Sequence, residues 1–303
     1  MRRGTAASLL LLLAACVGPG QRSEERASAA GAPPLPPSAI PPATAPVEGG
    51  FALRGTVSQG GMVIGIAPSG ASAVTLDGAD VPLAPDHRFL IAFGRDHGPA
   101  ATLAATGPDG ARWLQPLAVA TRAWRIEALP IPRGTSPSPE FLARRKAETD
   151  RIKDARVRAT TVASDGWEQP FAWPVTGRIS GLFGAQRVYQ GEKGAYHSGL
   201  DVAVPTGTPV RAPADGVVLL AARDELFSLE GHLLMIGHGM GLDSAFLHLS
   251  EIDVVPGQRV RRGDMIGRVG MTGRATGPHL HWALTWRGER IDPLLVAPSM
   301  PGG

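Results

Sequence analysis

The chain has 303 residues, which corresponds to about two domains at ~150 residues each and allows a substantial core. Its formal charge is only +3, from 30 Lys and Arg against 27 Asp and Glu, and no basic stripe with interleaved aromatics occurs, so a nucleic-acid partner is excluded. The single cysteine, Cys16, excludes an internal disulfide framework and a thiolate metal site.

The chain opens with Met1-Arg2-Arg3, a short positive start. Residues 6–15 follow as an apolar run, too short to span a bilayer and the right length for a signal h-region. The run ends Leu13-Ala14-Ala15-Cys16, which resembles the bacterial lipoprotein signal, in which the Cys is lipidated and becomes the new N-terminus. The resemblance implies a signal over residues 1–16, Cys16 as the lipidation site, and an exported protein anchored by lipid in a bacterial envelope, facing the periplasm. Val17 at the next position implies the outer membrane. Residues 17–50 are rich in Ala, Pro and Ser, with Pro33-Pro34, Pro36-Pro37 and Pro41-Pro42, and are predicted to form a disordered, semi-stiff tether.

Residues 51–130 change character. Alternating runs at 51–57 and 123–127 flank short β-rich stretches at 62–66, 73–76, 88–93 and 101–105. Gly60-Gly61, Asp77-Gly78 and Pro108-Asp109-Gly110 punctuate them as turns. Short strands at this spacing predict a small β-sandwich-like domain acting as a spacer or docking module. His87 and His97 have no partner at ligand spacing and are read as surface histidines.

A linker at residues 131–169 carries a predicted helix. Ser138 suits the N-cap, Pro139 the first helical position and Glu140 the first turn; the helix runs to about Arg158. Leu142, Ala143, Ala147 and Ile152 give it only a narrow apolar stripe among mixed charges. Residues 170–295 then form a second folded unit, with short Gly-bounded strand runs at 177–184, 200–204, 216–221, 232–237, 244–249 and 265–269; residues 296–303 are a flexible tail. The chain is predicted to be mainly β: a small β-sandwich-like domain, one charged linking helix, and a C-terminal antiparallel β domain.

The chemistry concentrates in that last domain. In Thr276-Gly277-Pro278-His279-Leu280-His281-Trp282 a Gly-Pro turn leads into an alternating run, so His279 and His281 aim at one space. His197 and Asp201 lie four apart and also share a face if extended, with Gly199 between them leaving room for an ion or a close backbone. His248 sits in the apolar run Phe246-Leu247-His248-Leu249-Ser250 and needs a partner if buried. Two His and one carboxylate suit Zn²⁺, and five side chains allow three ligands with two imidazoles left for proton work. No Glu lies between closely spaced His residues, so any general base must be histidine.

The set His197-x-x-x-Asp201, Phe246-Leu247-His248-Leu249-Ser250 and Thr276-Gly277-Pro278-His279-Leu280-His281 resembles the lysostaphin-type (LytM-like) zinc endopeptidases that cut peptidoglycan. Asp201-Val202-Ala203-Val204-Pro205, Ala212-Pro213-Ala214-Asp215-Gly216 and Arg262-Gly263-Asp264 leading into Thr272-Gly273 carry the likeness further, over about the last 120 residues. The resemblance implies an antiparallel β peptidase domain, with His197, Asp201 and His281 binding Zn²⁺ and His248 and His279 acting on the attacking water and the oxyanion. It implies peptidoglycan peptide stems as substrate, D-alanyl–diaminopimelate cross-links among them, and an envelope regulator protein as a further partner class. Members often have Tyr-Ala where this chain has Phe246-Leu247, which alters packing. His232 and His238, the latter read as a turn residue, are structural on this reading; residues 189–196 and 223–231 are loops lining the groove. A different class of function, a lipoprotein that activates another wall hydrolase without cutting, goes with lost ligands, and this chain keeps all five.

Overall fold

The structure, a computed structural model, describes residues 50–108, 110–132 and 137–300. Cys16, the rest of the signal, the tether up to residue 49 and the last three residues of the tail lie outside the described residues.

In chain order the first part forms β1 (Ala52–Gly55), β2 (Met62–Ile66), β3 (Ala73–Leu76), β4 (Ala79–Val81), β5 (Arg88–Ala92), β6 (Ala100–Thr106), β7 (Arg112–Ala118) and β8 (Ile126–Leu129). β1-β2-β5 pair as one antiparallel sheet and β4-β3-β6-β7 as another. The β3–β4 hairpin turns at Asp77 and Gly78, both with positive φ (50° and 81°), as an Asp-Gly pair favours. β7 escapes the sequence reading because it is an edge strand whose outer positions are wet; its Pro116 is tolerated there. Val63, Phe89 and Leu103 from these sheets join Leu280 and Trp282 of the later strands in one apolar cluster.

Helix α1 (Pro139–Ala159) starts as the sequence predicts, with the Ser138 hydroxyl accepting from the Phe141 amide and Pro139 in the first turn. Its C-terminal half packs Ile152, Ala155 and Ala159 against Leu219, Leu233 and Met235. Among the described residues no helix is long and apolar enough to cross a membrane.

The later strands are β9 (Arg178–Gly181), β10 (Gln186–Tyr189), β11 (Glu192–Tyr196), β12 (Leu200–Ala203), β13 (Pro209–Arg211), β14 (Gly216–Ala221), β15 (His232–Gly239), β16 (Leu242–Leu249), β17 (Glu251–Ile252), β18 (Arg259–Val260), β19 (Met265–Arg268), β20 (Leu280–Trp286) and β21 (Glu289–Ile291). The main sheet runs β18-β14-β15-β16-β20-β12-β9, with β21 on the end of β20, and β13-β19-β17 form a smaller sheet. Every residue of β20 is buried: β16 and β12 flank it, and Leu280, Trp282, Leu284 and Trp286 on one face enter the apolar cluster.

Two features differ from expectation. Much of residues 189–196 is not a loop: β10 and β11 form a hairpin whose tip, Gln190-Gly191, has positive φ at both residues (46° and 92°). Gln-Gly lacks the Asn-Gly or Asp-Gly signature, so the turn was silent in the sequence. The last strand of the first part, β8, pairs in parallel with β10, so the hairpin edge is covered by a strand from the preceding segment.

Candidate metal centre and active site

Strand register assembles the site. Asp201 of β12 lies directly opposite His281 of β20, and Leu247 of β16 lies opposite His281 on the other side. Cross-strand partners point to the same face, so the Asp201 and His281 side chains must meet. His248, one residue beyond Leu247, has φ +64°, a left-handed conformation uncommon for residues other than Gly, though His adopts it more readily than most. His279 enters at the bridge between Gly270 and the start of β20.

Three donor atoms converge. His197 Nε2 and His281 Nδ1 lie 3.0 and 2.8 Å from Asp201 Oδ1, and 3.0 Å from each other. His197 Nδ1 is 3.0 Å from the Leu182 carbonyl, which can only accept, so Nδ1 carries the hydrogen and the Nε2 lone pair faces the carboxylate. Lone pairs at 3.0 Å repel unless a proton or a metal ion lies between them. Bonds of ~2.1 Å in a tetrahedral site put donors ~3.4 Å apart, so this trio fits a metal ion after opening by a few tenths of an ångström. Among the described residues His197, Asp201 and His281 form a group able to hold a metal.

His248 and His279 stand beside the trio. Their rings are 4.8 Å apart, and His279 Nε2 is 3.9 Å from Asp201 Oδ1. Each donates Nδ1–H to a backbone carbonyl, His248 to Thr272 and His279 to Gly277, both at 2.8 Å. Each therefore keeps a bare Nε2.

Electrostatics follow from burial and from Asp201. Burial pushes His248 down to about 4, so it is neutral at pH 7. Burial also lowers His281, with the His197 and His279 charges adding to it against the opposing pull of Asp201. Burial opposes ionisation of Asp201, but His197 and His281, which donate to the carboxylate in their protonated forms, outweigh it and hold the carboxyl well below the carboxylate range. Burial likewise works against a proton on His197, but the bond and charge of Asp201 raise it.

All five residues singled out in the sequence come together in this cluster. The carbonyls of Leu182, Thr272 and Gly277, which orient three of the rings, had no signal of their own, since a backbone acceptor is independent of side-chain identity. Gly199 proves to be a close approach to the His281 ring: a Cβ there would sit 2.6 Å from its Nε2. Gly181 does the same for Asp201, at 2.2 Å from Oδ2. The segment bearing His197 is held from the first part of the chain. Buried Arg95 donates to the Gly184 carbonyl (3.0 Å) and lies over the Trp124 and Tyr196 rings, while the Gly184 amide donates to His197 O. His238, expected in a turn, is fully buried inside β15 and bonds Asp215 O and Ser244 Oγ. His97 lies edge-on to Phe93, and His87 and His232 lie outside the cluster.

Residues 195–293, the span holding all five, match the model of Peptidase family M23. The chain carries a peptidase family M23 domain. Over 105 residues, 35% of this chain, it is 44% identical to the DD-carboxypeptidase/endopeptidase Mpg of Neisseria meningitidis, covering 24% of that protein. Over 118 residues, 39% of this chain, it is 43% identical to the peptidoglycan DD-endopeptidase ShyA of Vibrio cholerae, covering 27% of it. The chain thus spans about a quarter of the length of these curated relatives. A Pseudomonas aeruginosa crystal structure bearing the name peptidase M23 superposes with a TM-score of 0.59 at 29% identity, over 80% of this chain and 96% of that one. The superposition therefore extends well beyond residues 195–293.

Proposed function

We propose that this chain is a zinc-dependent endopeptidase that hydrolyses peptide cross-links of bacterial peptidoglycan during cell-wall remodelling. The observation that carries the reading is the convergence of His197, Asp201 and His281 on one point, with the bare Nε2 atoms of His248 and His279 beside it. Two imidazoles and one carboxylate are a donor set suited to Zn²⁺ with a fourth position open. Zinc held there supplies Lewis acidity toward a carbonyl oxygen and makes water acidic enough to react at neutral pH. His248 takes one proton of the attacking water at Nε2, with the bare Nε2 of His279 beside it able to share that role. The single imidazolium so formed donates a hydrogen bond to the developing oxyanion and then gives its proton to the departing amine nitrogen as the peptide C–N bond breaks. Their Nδ1–H bonds to Thr272 and Gly277 keep the rings in the tautomer that this requires. The names of the relatives, a DD-endopeptidase and a DD-carboxypeptidase/endopeptidase, support D-alanyl peptide bonds as the substrate class. The signal ending at Cys16 supports a lipid anchor in the outer membrane, with the folded part in the periplasm.

The test is metal content followed by digestion of purified sacculi by the full chain in detergent, with and without chelator, and mass analysis of the fragments. One zinc per chain and chelator-sensitive loss of cross-linked dimers are expected, with both abolished in Asp201→Ala. An Asp201→Ala protein with wild-type hydrolysis would refute the reading, and a wild-type chain with neither zinc nor cleavage would leave it a regulator of another hydrolase.

A further inference from the structure

The two halves of α1 dock differently. The C-terminal half buries Ile152, Ala155 and Ala159 in an apolar contact. The one buried residue of the N-terminal half is charged: Glu148, 4% exposed. Its Oε1 accepts from the Ser228 amide (2.8 Å), the Ser228 hydroxyl (2.6 Å) and Arg144 Nε (3.0 Å), and its Oε2 accepts from Arg145 (3.0 Å). Burial alone would raise this carboxyl, but the bonds from Ser228 and the arginines keep it below its ordinary value. Arg145 then forks onto both oxygens of Glu230 at 2.6 Å. Arg144 donates to Leu226 O, and Arg151 pairs with Glu225 and lies over the Phe227 ring. All of these contacts fall on one short segment, residues 225–230, which a Phe227–Gly231 bridge closes.

The far side of that segment touches His248. Glu230 O accepts from the His248 amide at 2.8 Å. Leu229 O accepts from the Arg274 amide, and Gly231 packs against Thr272, whose carbonyl orients the His248 ring. The left-handed backbone of His248 is thus held through its amide by a segment that α1 grips.

We infer that α1 is a positioning element for His248, with Glu148 and Arg145 setting residues 225–231 and Glu230 passing that setting to the His248 backbone. The inference rests on reading His248 as the proton acceptor. A buried carboxylate with four donors adds little net stability over an apolar side chain of the same size. What it does add is one fixed geometry for the segment it holds.

The test uses the zinc-loaded full chain. Glu148→Gln keeps the shape and removes the charge. It is expected to lower kcat on sacculi about 10- to 100-fold, the range for a small misplacement of a reacting group, with KM and zinc affinity near wild type. The His248 backbone amide should exchange faster in the same variant, and Glu148→Asp should recover part of both effects. Ile152→Ala weakens the apolar docking of the same helix and is expected to lower Tm while leaving kcat within about twofold. Should Glu148→Gln fail to fold, Arg145→Lys breaks the fork onto Glu230 while leaving the buried carboxylate, and carries the same expectations. Wild-type kcat and exchange in Glu148→Gln overturn the inference. So does a kcat loss in Ile152→Ala equal to that in Glu148→Gln, or a fall in zinc affinity that accounts for the loss. A wild-type chain that binds zinc and cuts nothing overturns the proposed function instead, and His248 amide exchange then decides the positioning claim alone.

Discussion

Lowering the pH from 7 to 4 should destabilise the protein through His238, a histidine that the proposed reaction does not use. Its Nδ1–H donates to Asp215 O at 2.8 Å, and its Nε2 accepts from the Ser244 hydroxyl at 2.7 Å; Ser244 Oγ in turn takes the Trp282 indole N–H at 3.4 Å. The chain of donors is complete only while His238 is neutral. A second proton on Nε2 would break the Ser244 bond and bury a charge. Burial accordingly pushes His238 down to about 4 from 6.5, against the opposing pull of the Asp215 carbonyl and charge. A depressed folded value means that the unfolded chain takes up the proton first as pH falls. Stability is therefore present above 6.5 and is lost between 6.5 and about 4. At ~1.4 kcal/mol per pH unit, the loss is about 3 kcal/mol. Asp243, opposite Gly237 of β15, acts in the other direction. Burial raises it to about 6, Arg156 and Arg290 opposing, so its stabilising share is present below 3.8 and is lost as pH rises toward 6. The assay must subtract that contribution, so wild type and His238→Phe are compared by urea unfolding at pH 7, 5.5 and 4.5. The variant should be about 1–3 kcal/mol less stable at pH 7, because Asp215 O and Ser244 lose their partner. The difference should shrink steadily as pH falls. A difference that stays constant from pH 7 to 4.5 would refute the reasoning.

Gly199→Ala places a methyl group 2.6 Å from His281 Nε2 and from Trp282 O, so the ligand ring must shift; zinc affinity by chelator competition should fall on the order of 10- to 100-fold, as when a partner that orients a ligand is lost. Arg95→Ala removes a buried, charge-assisted bond to Gly184 O and two ring contacts, and should cost about 2–4 kcal/mol in denaturant unfolding, with weaker zinc binding through the His197 segment.

Much of the fold was legible because its cues are local. β2, β3 and β14 occupy stretches whose apolar runs predict strands, and α1 begins at Ser138-Pro139, where capping chemistry needs only neighbouring residues. β7, β10 and β11 were not legible. Their outward positions are wet, so alternation is diluted, and the turn that joins β10 to β11 carries no Asn-Gly or Asp-Gly signature. The candidate site was legible for a related reason. His279 and His281, or His197 and Asp201, share a face by strand period alone, and residue type limits the metal that such a set can hold.

Only the tertiary structure decided which atoms face inward and what holds them there. Register between β12 and β20 brings Asp201 to His281, although 80 residues separate them. The Leu182, Thr272 and Gly277 carbonyls choose the ring tautomers, and any residue could have supplied them. The grip of α1 on residues 225–230 and the seat of Arg95 between Trp124 and Tyr196 join segments that look independent in the sequence. Side-chain chemistry is written one residue at a time, whereas backbone acceptors, close approaches and burial exist only after distant segments have met.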